Sequence, residues 1–308
     1  MEYSHGYLSQ VKLLLRVLPV INEQNCFALK GGTAINLFIR NMPRLSVDID
    51  LSYLPIEPRE VFLENITLAL YALAGNIQKS GAGSFKVNEI FTCNKQISKL
   101  VVLSPQARII IEPNLVLRGS VFECETHDLC QNAQNQFLRF CRIRTLSVAD
   151  LYGGKICAAL ARQHPRDLFD VKLLLENDGI TEAIRQAFTI YLASNSRPIH
   201  EILNPNPNLQ DIKKIFKEGF VGMTQLDVSY EQLVEVRLVL IKEILEMLTD
   251  NERKFLFSIK NGEPDWSLMP IPGIEKLPGL AWKKMNVGKM DRQKHLEALD
   301  KLKKVLQL

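Results

Sequence analysis

The sequence predicts an α+β fold, with a mixed β-sheet domain and flanking helices over residues 1–146 and a helical domain over residues 147–308. Three observations predict it. An amphipathic helical stretch precedes a series of short apolar runs with strand character; one long helical stretch interrupts those runs; and beyond Ser147 the periodic segments all repeat at helical spacing.

The elements follow in order. Residues 8–21 place Leu8, Val11, Leu14, Leu15, Leu18 and Ile21 on one helical face. Residues 26–29 read as a short buried strand that breaks at Gly31-Gly32, and a second short helix covers 33–40. Residues 47–52 alternate apolar and acidic side chains, the period of a strand with one polar face. A long helix follows Pro58 to about residue 79, and then come strand-like runs at 85–91, 96–103 and 108–116. In the second half, segments 148–163, 167–177, 180–194, 208–219, 230–250 and 291–306 have helical period, separated by Pro198, the 204–207 Asn-Pro-Asn-Pro stretch and the proline-containing segment 270–278.

Composition excludes several classes. A chain of 308 residues with 46% hydrophobic and 23% charged residues can bury a large core and is not expected to be disordered. Arg16, Asn22 and Glu23 interrupt the N-terminal apolar stretch, so a signal peptide is not expected. No window reaches the roughly 20 apolar residues of a membrane span, and a cytoplasmic protein is the expectation. Six cysteines at 26, 93, 124, 130, 141 and 157 lack the paired spacings of a zinc site and read as reduced, mostly buried thiols. The net charge of +4 does not by itself indicate a nucleic-acid partner, although residues 281–308 carry eight Lys or Arg against three acids. The plain account of that segment is an amphipathic helix with lysines facing water.

The chemistry is concentrated in Leu29-Lys30-Gly31-Gly32-Thr33-Ala34, followed by Asp48-Ile49-Asp50-Leu51. A strand that ends in two glycines and opens a helix lets backbone N–H groups approach a polyphosphate closely, with Thr33 placed to cap the helix or touch a phosphate. Asp48 and Asp50 lie two apart on a strand and share a face, where two carboxylates can ligate hard divalent cations. Each half also has an ordinary explanation, a tight turn and a solvated strand face, but the two occur in consecutive elements. A third acid supports them: Glu112 follows Ile109-Ile110-Ile111 on a strand expected to be central, where it either faces a sheet edge or joins a metal site.

The Gly-Gly-Thr to Asp-x-Asp arrangement with a later strand acid resembles the signature of the nucleotidyltransferase superfamily. Within it, LKGGTAINLF and RLSVDIDLS resemble most closely the AbiEii/AbiGii family of abortive-infection and toxin–antitoxin nucleotidyltransferases. A second block agrees: Tyr152-Gly153-Gly154-Lys155, then Arg162, Arg166-Asp167 and Asp170, matches the family's helix-borne lysine followed by an Arg-Asp-x-x-Asp element. The similarity extends over about residues 27–176.

The resemblance implies a nucleotidyltransferase-type mixed sheet and transfer of a nucleoside monophosphate from an NTP, with Mg²⁺ or Mn²⁺ held by Asp48, Asp50 and Glu112. It implies catalytic contributions from Lys155 and Asp170 in the helical domain, and nucleotide contacts from Gly31, Gly32, Thr33, Lys155 and Arg166. It further implies a toxin with an RNA acceptor, tRNA in particular, a cognate antitoxin as partner and no membrane association. A small-molecule nucleotidyltransferase of the antibiotic-modifying type shares every metal ligand and remains the rival, as does a nucleotide-binding regulator without turnover. On physical grounds Asp167 is expected to favour a helix N-terminus, and Arg166 and Asp170, four apart, can pair on a surface. Arg139, Arg142 and Arg144 are expected to alternate on a strand as an acceptor groove or a solvated face, and Lys283, Lys284, Lys301, Lys303 and Lys304 as an outer basic patch. Lys99 and Arg108 are placed to reach a triphosphate from neighbouring strands. His164 reads as a helix-start residue, and Trp266 and Trp282 as packing residues.

Overall fold

The computed structural model describes residues 2–93, 96–206 and 209–308. The chain divides into two compact units, one comprising Met1–Ser147 with Val221–Asp227, the other Val148–Phe220 with Val228–Leu308.

In the first unit, helix α1 (His5–Asn22) leads into β1 (Phe27–Lys30), and a single turn α2 (Gly31–Ala34) continues as a π-helical turn, Ile35–Ile39. Then come β2 (Asp48–Tyr53), α3 (Arg59–Ser80), β3 (Lys86–Phe91), β4 (Ile97–Leu103), β5 (Arg108–Pro113), β6 (Glu125–Asp128), α4 (Gln131–Phe137) and β7 (Arg142–Thr145). The strands form one seven-stranded mixed sheet in the order β3-β4-β5-β2-β1-β7-β6, so β2 is its central strand. β2 runs parallel to β5 and β1 parallel to β7, whereas β1/β2, β4/β5, β3/β4 and β6/β7 are antiparallel.

Alternation along the strands decides which side chains are buried. Ile49, Leu51, Ile109 and Ile111 are at most 1% exposed, while Asp48, Asp50 and Glu112 between them point to the opposite face. Helices α1 and α3 pack on each other and on the sheet through Val11, Leu14, Leu18, Phe62, Ile66, Leu70 and Leu73, all fully buried. Each such side chain contributes about 1.5–3 kcal/mol of burial. Segment Val221–Asp227 belongs with this unit: the Leu45 amide donates to the Met223 carbonyl at 2.7 Å, Thr224 Oγ1 donates to the Pro43 carbonyl at 2.7 Å, and Arg44 and Thr224 form an isolated β-bridge.

The second unit is helical throughout its regular elements: α5 (Val148–Arg162), α6 (Pro165–Asn177), α7 (Glu182–Ala193), α8 (Ile199–Leu203), α9 (Leu209–Gly219), α10 (Tyr230–Met247), α11 (Asp250–Asn261), α12 (Pro278–Gly288) and α13 (Arg292–Leu306). α5 and α7 cross most closely at Gly153, where a Cβ would lie 2.6 Å from the Phe188 nitrogen and 2.8 Å from Ala187 Cβ. Close backbone approach therefore accounts for that glycine. Among the described residues no helix is long and apolar enough to cross a membrane.

Several elements differ from expectation. The helix expected over 230–250 is α10, which ends at Met247; the capping box Thr249/Glu252 starts an additional helix, α11, just as Ser229/Gln232 starts α10. β6, α4, α8 and α12 carry little apolar periodicity and are additions. Of the expected 204–207 break and 208–219 helix, Pro207 and Asn208 lie outside the described residues. All six cysteines are free; Cys141 and Cys157 are buried and Cys93 is exposed.

Candidate active site

The glycine turn is built by the approach of β2 to β1. Lys30 stands opposite Asp50 in the antiparallel register. Gly31 has φ +70, and a Cβ there would fall 2.2 Å from Asp50 Oδ2. Only glycine both tolerates this backbone and leaves room for the carboxylate. A Cβ on Gly32 would meet the guanidinium of Arg44 at 2.6 Å. That arginine is 2% exposed and donates to the Leu45 carbonyl at 2.9 Å. Thr33 is fully buried; its hydroxyl donates to the Asp48 carbonyl at 2.5 Å and lies 3.0 Å from Ser46 Oγ. In this arrangement Thr33 ties the start of α2 to the first residue of β2.

The parallel pairing of β2 with β5 puts Asp50 opposite Glu112 and Asp48 opposite Ile110. Asp48, Asp50 and Glu112 therefore occupy one face at adjacent positions, on strands about 4.8 Å apart. Glu112 is half-exposed, and its Oε2 is 3.0 Å from Lys99 Nζ on β4. The expected choice between a sheet edge and a metal site thus omitted a third arrangement, a cross-strand ion pair on a central strand. As a donor set the three carboxyl groups fit a hard divalent cation, which takes oxygen ligands, and they stand on one face of the sheet beside the glycine turn. Their side chains are not converged: among the described residues no three His, Cys, Asp or Glu groups lie close enough together to hold an ion.

The second unit carries a different cluster. Lys155 on α5 reaches two carboxylates of α6, with Nζ 2.8 Å from Asp167 Oδ1 and 3.0 Å from Asp170 Oδ2. Arg162 clamps the same Asp167, with Nε 2.5 Å from Oδ2 and Nη2 3.0 Å from Oδ1. Lys155, Asp167 and Asp170 are 6%, 1% and 0% exposed. Burial pushes the Asp167 carboxyl up, but the Lys155 ammonium and the Arg162 guanidinium outweigh it and hold the carboxyl well below the usual range. Asp167 does lie in the first turn of α6, as expected, and there it also makes a buried double ion pair; Asp170, expected to pair with Arg166 on a surface, is buried and pairs with Lys155. Asp170 is turned to Lys155, as an orienting group would be. His164 caps α6 by accepting the Arg166 amide at 3.1 Å, with Pro165 in the first turn, so the helix-start reading of His164 holds.

The basic candidates separate in the structure. Arg139 lies before β7, not on it, and is exposed. Arg142 makes a bidentate pair with Asp128 at 2.5 and 2.9 Å, and Arg144 donates to the Asn25 carbonyl at 2.9 Å. Lys283 is buried, not part of an outer patch; its ammonium donates to the Asn195 and Arg197 carbonyls at 2.6 and 3.2 Å, and burial with Lys260 nearby lowers its pKa to about 8. Lys304 pairs with Asp300 at 2.7 Å. Trp266 packs with Phe255 at a centroid distance of 6.0 Å.

A mixed sheet that carries Asp48, Asp50 and Glu112 on one face beside a Gly-Gly turn is the arrangement expected of a nucleotidyltransferase. The sequence pattern of the AbiEii family, described as nucleotidyl transferase AbiEii toxin of type IV toxin–antitoxin systems, matches residues 12–276. The chain belongs to that family. No curated protein matches it in a sequence search. Among solved structures, it is similar to MenT4, a nucleotidyltransferase toxin from Mycobacterium tuberculosis H37Rv, with a TM-score of 0.61 and 16% identity over 96% of this chain and 94% of that one. At this identity the likeness concerns the fold.

Proposed function

We propose that this toxin transfers a nucleoside monophosphate from an NTP to an RNA acceptor, tRNA being the expected class, and releases pyrophosphate. The observation that carries the reading is the register that sets Asp50 opposite Glu112, with Asp48 on the same face and the Gly31 turn against Asp50. When bound there, divalent cations such as Mg²⁺ or Mn²⁺ would supply charge neutralisation for an in-line displacement at phosphorus. Asp48, Asp50 and Glu112 are the residues that would hold them. The nucleotide contacts proposed for Gly31 and Gly32 are made by backbone N–H groups at the start of α2, where first-turn N–H groups lack intrahelical acceptors; the side-chain space of the two glycines is taken by Asp50 and Arg44. Thr33 keeps that turn against β2.

On the second unit, the nucleotide contacts we propose are Lys155 and Arg166. Asp167 and Asp170 fix the Lys155 ammonium at one point, which favours a directed contact over a mobile one. The family description also supports a cognate antitoxin as partner. A cytoplasmic location accords with an RNA acceptor.

The test is direct. The purified chain is incubated with each α-³²P-labelled NTP, Mg²⁺ and total cellular RNA, and in parallel with a metabolite extract. Label in a tRNA-sized band, lost on EDTA treatment, is the expected result. Label confined to small metabolites would overturn the RNA acceptor, and EDTA-resistant labelling would overturn the metal requirement.

A further inference from the structure

Four charged residues form a row across the carboxylate face of the sheet. Lys30 is opposite Asp50, and Asp50 is opposite Glu112. The pairing of Leu100 with Ile111 places Lys99 opposite Glu112 one step along. Directly opposed residues share a face, so the order across β1, β2, β5 and β4 is cation, anion, anion, cation. Lys99 closes one end with its ammonium 3.0 Å from Glu112, and both side chains are partly exposed, at 40% and 49%. An ion pair so open to water is weak and readily exchanged.

We propose that Lys99 is a displaceable counter-ion of the cation site: it balances Glu112 in the absence of nucleotide, opposes loading by a bare divalent cation, and gives up Glu112 when the cation arrives with a triphosphate. This rests on the metal-holding reading of Asp48, Asp50 and Glu112 given above. The electrostatics have opposite signs for the two ligands. A bare divalent cation approaching Glu112 meets an ammonium in contact with the same carboxylate, which raises the cost of binding. A cation–triphosphate complex carries net negative charge, so the lysine that opposes the ion favours the complex. The exchange needs only the observed contact, in which Glu112 is turned toward Lys99 at 3.0 Å. Its consequence is selectivity: the toxin would load metal with its substrate and stay unloaded in cation alone.

The experiment uses the full chain and Mn²⁺, with protein-retained ⁵⁴Mn²⁺ measured by equilibrium dialysis, with and without a mixture of the four α,β-methylene nucleoside triphosphates. Wild type is compared with Lys99→Met, Lys99→Arg and Asp50→Ala. Lys99→Met is expected to bind bare Mn²⁺ about three- to fivefold more tightly, the range open to an exposed ion pair. It is expected to bind Mn²⁺ with the triphosphates more weakly by a similar factor, so that the two affinities move in opposite directions, while Lys99→Arg keeps the wild-type pattern. Mn²⁺ binding that requires Asp50 but is indifferent to Lys99, or that shifts the same way with and without triphosphate, overturns the proposal and leaves the carboxylate site standing. Mn²⁺ binding unaffected by Asp50→Ala overturns both.

Discussion

The carboxylates of the sheet and those of α6 are held by lysines in opposite ways. On the sheet, Lys99 and Glu112 meet at 3.0 Å with about half of each side chain in water. On α5 and α6, Lys155 meets Asp167 and Asp170 at similar distances, with all three at most 6% exposed. The distances are alike and the surroundings are not. Water screens the first pair and can replace either partner, whereas the second must keep its partners or leave charge in a low-dielectric interior. The contrast divides a place where ligands can exchange from one where geometry is fixed.

Asp50→Ala is expected to separate activity from stability most widely. It should reduce label transfer by about 10²–10³-fold or more, because it removes a carboxylate on which charge neutralisation depends. Its melting temperature should stay near that of the wild type, since Asp50 lies on the open face of β2. Near wild-type transfer by purified Asp50→Ala would sink the assignment of the sheet face.

Lys155→Met should act the other way. Removing the shared cation from a buried pair is expected to cost about 3–5 kcal/mol in urea unfolding, and the double variant Lys155→Met/Asp170→Leu should recover part of that loss. Lost nucleotide use with unchanged stability would make Lys155 a ligand-binding residue only and dissolve the contrast.

Acid titration gives a smaller, graded effect. Asp167 has its folded-state pKa held below its ordinary 3.8. A depressed carboxyl pKa means that the unfolded chain takes up a proton first as pH falls, so the stability contributed by Asp167 is complete above the ordinary value and is lost as pH falls below it toward the folded value. Arg162→Gln, which removes one of the two cations, should shrink this acid-sensitive component in melts between pH 5 and pH 2, ranges set by those ordinary carboxyl values. An unchanged acid profile in that variant would contradict the double pairing.

The least change is expected from the arginines. Arg142 is already neutralised by Asp128, whereas Arg144 donates only to a neutral carbonyl and keeps its charge, so replacing Arg139, Arg142 and Arg144 together should flatten the salt dependence of RNA binding by about two units of slope, not three. A change near three would show that RNA displaces Asp128.

The local chemistry of the first unit was legible because its signals are short-range. A Gly-Gly break after an apolar run, alternation of acids with Ile49 and Leu51, and three β-branched residues before Glu112 each mark backbone and face within a few positions. The partners were not legible, because they depend on register between strands far apart in sequence. Nothing in residues 97–103 announces that Lys99 will stand beside Glu112, and only the Leu100–Ile111 pairing does so. Likewise Arg162 and Asp167 are five apart across a helix break, a spacing that no periodicity rule pairs. Arg44 was overlooked for a related reason, since a charged residue buried under a glycine turn looks like an ordinary loop residue until its cover is seen.

That cover comes from late in the chain. Met223 and Thr224, which meet Leu45, Pro43 and Arg44, are encoded about as far from β2 as α10 is. A stop codon after residue 147 would therefore not yield a smaller, self-sufficient sheet protein. It would remove the carbonyl that receives the Leu45 amide, three residues upstream of Asp48, and uncover a guanidinium that is 2% exposed in the whole chain. Ribosomes must translate about 80 further residues, the distance from 147 to the end of the returning segment at 227, before the loop leading to the first carboxylate can close.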